Sequence, residues 1–239
     1  MLMKVLKNRS DKMTMKRPGF TMVEIIVVVA VISILVAILA PVLAKHVKDA
    51  MVARAYNETL VISTAILSLH KDTGMWPFTN LNGPSGAVDR IVGDPLHVPK
   101  GVTPDANPGA ENWGKMGTPK PIYDYLFYNN PDDNTGAENQ NEPGQDYPRR
   151  GRNAWKGPYL DVDVLVDPWG FSYVVNARYF PGNPNAGILA YNHRVFVLSA
   201  GPDGMWSTAF HDNINRFTNP SDAPAGDDIG CVITTNSKY

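Results

Sequence analysis

Apolar and polar positions alternate in three different ways along the chain. Residues 25–44 form an apolar run broken only by Ser33 and Pro41. From residue 45 to residue 71 there is no Gly or Pro, and Val52, Tyr56, Leu60, Ser63 and Leu67 recur near the helical period. Together these stretches predict one long helix whose second half presents that stripe to a sheet. Gly74 marks its end, because Gly is common just past a helix C-cap. His70 then falls on the last turn as a surface residue. Pro41 removes a backbone donor and predicts a kink or a loosened turn.

Beyond Gly74 the helical period disappears. Residues 79–150 are rich in Gly, Pro, Asn and Asp, and only 122–128 (Ile-Tyr-Asp-Tyr-Leu-Phe-Tyr) reads as an ordered element. The acidic run 130–142 has almost no apolar residue and predicts an exposed loop. Strands are predicted at 171–175 and 191–198, where β-branched and aromatic residues concentrate, with 181–185 as a loop between them. The expected fold class is α+β. A long N-terminal helix, transmembrane then amphipathic, packs its distal half on a small antiparallel β-sheet with extended loops.

Charge changes this picture at the N-terminus. Lys4, Lys7, Arg9, Lys12, Lys16 and Arg17 precede the apolar run against Asp11 alone. At about 1.5 Å per residue, the twenty residues of that run span a hydrocarbon core of roughly 30 Å. An ordinary secretory signal has an apolar region of about 7–15 residues and no carboxylate. This one is longer and carries Glu24 at its head, at a cost on the order of 2.5–3.5 kcal/mol near a bilayer centre and less near its edge. The basic leader stays cytoplasmic by the positive-inside rule, so everything beyond residue 44 is expected outside the cytoplasm.

The stretch Gly19-Phe20-Thr21-Met22-Val23-Glu24, the apolar helix after it and Pro41 resemble the class III signal of type IV pilins and of the pseudopilins of type II secretion. The resemblance implies cleavage between Gly19 and Phe20 by a prepilin peptidase, N-methylation of Phe20, and an assembly role for Glu24 and Pro41. It divides the chain into a leader (1–19), a transmembrane half-helix (20–44), a periplasmic half-helix (45–73) and a globular domain (74–239) carrying an insertion at 79–150. The implied location is the inner membrane, single-pass, with the C-terminal domain in the periplasm. The implied partners are further copies in a homo-oligomeric filament, an inner-membrane assembly platform and minor pseudopilins.

A second set of motifs points the same way. Asp72-Thr73-Gly74-Met75-Trp76-Pro77, Gly157-Pro158-Tyr159-Leu160 and Asp167-Pro168-Trp169-Gly170 resemble the helix exit and the turn signature of major pseudopilins. Pro168 and Gly170 suit a tight reversal, and Trp169 is placed to cover a sheet edge. In that family a Gly-Ala-Asp-Gly turn and a later Asp-rich turn together hold one Ca²⁺. The resemblance therefore implies Asp203, Asp227 and Asp228 as side-chain ligands, with the Ala200 carbonyl as a fourth and Asp212 or Asp222 as alternatives. Hard-cation chemistry is consistent with this, since calcium takes oxygen ligands from carboxylates and loop carbonyls.

Composition excludes other classes. The chain has 239 residues and a net charge of −1. Without the first nineteen residues it keeps sixteen Lys and Arg against twenty-two Asp and Glu, which argues against a nucleic-acid partner. Cys231 is the lone cysteine, so it forms no internal disulfide, and no Cys-x-x-Cys or His-Cys spacing supports zinc. Asp161, Asp163 and Asp167 lie close in sequence, but no nucleophile or base stands beside them, and no enzyme activity is expected. The favoured reading is a filament subunit of a type II secretion pseudopilus. A type IV pilus subunit is the nearest alternative. A membrane-anchored periplasmic enzyme or carbohydrate-binding protein, using Tyr123, Tyr125, Phe127 and Tyr128 as a platform, is the alternative from another class.

Overall fold

The computed structural model describes residues 19–78, 88–106, 109–117, 119–131, 146–161, 165–186, 193–211 and 224–236. The chain divides into two units, one ending at Val47 and one beginning at Lys48. Helix α1 (Met22–Thr73) belongs to both.

In the first unit, α1 carries the apolar run on an uninterrupted helical path through Pro41. The helix is long and apolar enough to cross a membrane. Its side chains there are exposed all round, as lipid-facing residues would be.

In the second unit, α1 lies on a five-stranded sheet of order β2-β1-β3-β4-β5. The strands are β1 (Ile91–Val92), β2 (Lys120–Pro121), β3 (Val174–Val175), β4 (His193–Ser199) and β5 (Ile229–Asn236). β1 pairs antiparallel with β3, β3 with β4 and β4 with β5, but β1 and β2 run parallel. The sheet is thus mixed, and the expectation of an antiparallel sheet holds for three pairs of four. The parallel pair arises because β2 is reached by a crossover through the short helix α2 (Asn112–Lys115), which a hairpin could not supply.

The helix face turned to the sheet differs from the expected stripe. Ala55, Thr59, Ile62, Ile66 and Leu69 are buried, whereas Val52, Tyr56, Leu60 and Leu67 are 40–47% exposed; of the expected set only Ser63 is buried. Both sets have helical spacing, so period alone could not choose between them. The face that β5 approaches is the buried one: the Cys231 thiol of β5 lies 3.2 Å from the Thr59 carbonyl oxygen. Glu58 adds a polar tie, accepting a 2.6 Å hydrogen bond from the Tyr173 hydroxyl and pairing with Arg54.

The segment 79–150 contains more order than its composition predicts: β1, α2 and β2 all fall there. A two-residue strand leaves no period to read. Residues 122–128 do form an element, which ends as a π-helix (Asp124–Tyr128) with Tyr125 and Leu126 fully buried, so its aromatics are in part core and not an open platform. Arg90, beside β1, is buried and donates to the carbonyls of Met116, Trp113 and Gly117, which fastens α2 to the sheet. Burial lowers its guanidinium pKa to about 10. Most of the acidic run 130–142 lies outside the described residues.

Two further expectations need correction. Of 171–175 only Val174 and Val175 enter the ladder, because Ser172 turns aside to bridge Val166. His70 is no free surface residue: its ring stacks on Trp76 at 3.8 Å, and Trp76 stacks in turn on Phe180. The helix does end at Thr73, followed by Gly74 at φ +75°, as expected for a helix stop. β5 is a strand that the sequence did not announce.

Candidate functional site

Two places carry the residues singled out from the sequence. The first is the start of α1. Gly19 and Phe20 are exposed and lie outside the helix, and an added Cβ at Gly19 would meet nothing within 4 Å. Thr21 is the N-cap. Its carbonyl accepts from the Ile25 N–H at 3.3 Å, and its hydroxyl oxygen accepts from the Glu24 N–H at 3.2 Å. The Glu24 carboxylate reaches back, accepting from the Thr21 N–H at 2.7 Å and from the Thr21 hydroxyl at 2.8 Å. This is a capping box, which satisfies the helix's free N–H groups reciprocally. Thr21 was missed in the sequence reading, although Thr-x-x-Glu before an apolar run is the signal for such a box. Pro41 lies nineteen positions beyond the helix start, inside an intact helix.

The second place is the meeting of the turn after β4 with the turn before β5. Asp167, in the Asp-Pro-Trp-Gly turn, is buried and fixes its own reversal. One oxygen accepts from the N–H groups of Trp169 and Phe171, and the other accepts from the Ser199 hydroxyl at 2.6 Å. Burial raises its pKa while these hydrogen bonds pull the other way. Ser199 in turn accepts from the Gly201 N–H, so the end of β4 is tied to this turn. Ala200 is fully buried. Gly201, at φ +67°, presses so close to the other turn that a Cβ would stand 2.2 Å from the Asp227 carbonyl oxygen.

The four expected ligands are only partly gathered here. Asp228 is buried; one oxygen accepts from the N–H groups of Ser207 and Thr208, while its Oδ1 is buried with no hydrogen-bond partner among the described residues. Burial pushes its pKa up to about 6, ahead of the lowering by those hydrogen bonds. Asp227 is half-buried beside it. Asp203 is exposed, and its carboxylate accepts from the Met205 N–H of its own turn at 2.7 Å. Among the described residues no three Asp, Glu, His or Cys side chains converge as a metal site. Asp212 and Asp222 lie outside the described residues.

Residues 14–40 match the prokaryotic N-terminal methylation motif. The motif indicates a type IV pilin-like protein. Searches of curated proteins and of solved structures returned no match. For a pilin-like chain the motif implies processing by prepilin peptidase and pilus-like assembly, and the apolar helix suggests membrane anchoring. The long helix on a small mixed sheet is the α+β arrangement of pilins. Cys231 lies half-buried on β5, and burial raises its thiol pKa above the ordinary value.

Proposed function

We propose that this pilin-like chain is a structural, non-enzymatic subunit of a type II secretion pseudopilus, anchored once in the inner membrane with its C-terminal domain in the periplasm. The observation that carries the reading is the methylation motif ending on a capped apolar helix, with the Gly19–Phe20 bond exposed ahead of the cap. The Asp-Pro-Trp-Gly turn tied to the end of β4, which resembles that of major pseudopilins, favours the pseudopilus over a surface pilus. In a filament the cleaved chain would present the new α-amine of Phe20, and Glu24 of an incoming copy would leave its capping role to pair with it. A buried charge pair is tolerable where single charges are not, so the pair would set the axial register of neighbouring helices.

We further propose that the C-terminal turns hold a calcium ion. Supporting this are the buried, partnerless Oδ1 of Asp228 and the close approach of the two turns at Gly201 and Asp227. A hard cation would be held by Asp228 and Asp227 with loop carbonyls such as that of Ala200, and would neutralise the carboxylate that burial disfavours. Asp203 joins only if its turn rearranges.

Deleting the gene and following exported proteins tests the main proposal. Retention of normally secreted proteins in the periplasm, with surface fibres unaffected, is the expected result. Loss of surface fibres with secretion intact would favour the type IV pilus instead.

A further inference from the structure

The second unit presents exposed arginines on one loop and exposed carboxylates on turns at its other end. Residues 148–153 form a loop closed at its base by the Trp155 N–H bond to the Pro148 carbonyl at 2.7 Å. Trp155 is itself buried and donates its ring N–H to the Tyr125 carbonyl, so the base of the loop is anchored in the core. At the tip Gly151 adopts φ +101° with nothing within 4 Å of an added Cβ. Arg149, Arg150 and Arg152 flank it, all exposed, and among the described residues none of the three has an ion pair or hydrogen bond. The loop is held beside the end of α1, where Lys156 pairs with Asp72 at 3.0 Å.

The acidic counterpart lies at the other end of the same helix segment. A groove of about 450 Å³ is lined by Val52 and Tyr56 of α1 and by Asp228 and Ile229, which places the turn carrying Asp227 there. Asp203 stands on the turn that touches Asp227, and Asp105 follows the stretch paired with Trp206 through Val102 and Thr103. Asp105 and Asp203 are exposed, and among the described residues neither pairs with a cation. From Val52 to Asp72 the helix rises about 30 Å.

We propose that the Arg149–Arg152 loop docks head-to-tail onto the acidic turns of a second copy of this chain. The occupant follows from charge: beyond residue 19 the chain is acidic, so another copy offers carboxylates, and guanidinium groups match carboxylates in a planar, two-bond geometry. Patches that differ and lie at opposite ends make a heterologous contact, which generates a ring where its rotation closes and an open array where it does not, and never an isologous dimer. The anchored base of the loop lowers the ordering cost that exposed arginines otherwise carry. This inference rests on the filament reading and adds the contact that aligns the globular units.

The test uses the full chain in membranes, at fixed calcium, in a Cys231→Ser background. A chain carrying both Arg150→Cys and Asp105→Cys should give a ladder of covalent oligomers under mild oxidation, while either cysteine alone gives none. Arg149→Glu with Arg150→Glu and Arg152→Glu should lower filament yield at least tenfold at low salt, with unchanged melting temperature. Dimers from Arg150→Cys alone, or full assembly of the triple variant, would overturn the contact. So would a triple variant that assembles normally and loses only binding to vesicles of anionic phospholipid. If the parent chain fails to assemble at all, the filament reading fails first.

Discussion

Glu24→Gln and Glu24→Ala separate the two roles that the start of α1 allows. In the capping box the Glu24 carboxylate accepts two hydrogen bonds from Thr21, at 2.7 and 2.8 Å. Gln keeps an acceptor oxygen at the same place and is itself a capping-box residue, so it preserves this geometry; Ala removes it. Loss of a cap costs about 1 kcal/mol, roughly fivefold in an equilibrium. Loss of the charge is a larger matter in a packed apolar filament. Leaving the Phe20 amine without its partner costs about 3–5 kcal/mol, more than a hundredfold. The assay is filament yield by cross-linking after mass spectrometry has shown that each variant is cleaved. The expected outcome is that both variants are processed and both lose assembly by more than a hundredfold. Normal assembly with Gln beside a fivefold loss with Ala would refute the register role and leave only the cap.

Other outcomes follow from the second unit. Arg90→Met should cost about 3 kcal/mol in chemical denaturation, because a buried charged donor serving three carbonyls is lost; Arg90→Lys should fall between it and the parent. Gly201→Ala forces φ +67° on a side chain and drives its Cβ onto the Asp227 carbonyl, so melting should drop by several degrees and the C-terminal turns should exchange amide hydrogen faster. Asp228 titrates near 6 in the folded state against an ordinary value of 3.8. Between about pH 4 and 6 the folded chain therefore holds a proton that the unfolded chain has released, and this group's contribution is full below about pH 4 and lost as pH rises to 6. In chelator that loss has a ceiling of about 3 kcal/mol. Asp228→Asn should remove this pH dependence, and so should calcium if the ion binds there; a calcium-insensitive melting curve at matched ionic strength would count against the metal.

What could be read in the sequence depended on how local each signal was. The length of α1, its stop at Gly74 and the Asp167 turn are set by neighbours within a few positions, and these were legible. The face of α1 was not, because Val52, Tyr56, Leu60 and Leu67 repeat with the same period as Ala55, Thr59, Ile62 and Ile66, and only the nearness of β5 selects the second set. β1 and β2 exist through pairing with distant partners, and two residues each give no pattern. At the candidate sites, Glu24 stood out as a charge in an apolar run, but its tie to Thr21 was overlooked despite the spacing. Asp228 and Asp203 looked alike in sequence; burial and one partnerless oxygen distinguish them.

The central claim is that this chain is a processed pilin-like subunit, and its mature N-terminus tests that most directly. Intact mass and N-terminal sequencing of the protein from membranes should give a chain beginning at Phe20, with the added mass of one N-methyl group. A protein that retains Met1, or one that begins near residue 45 after loss of the whole apolar run, would contradict the account.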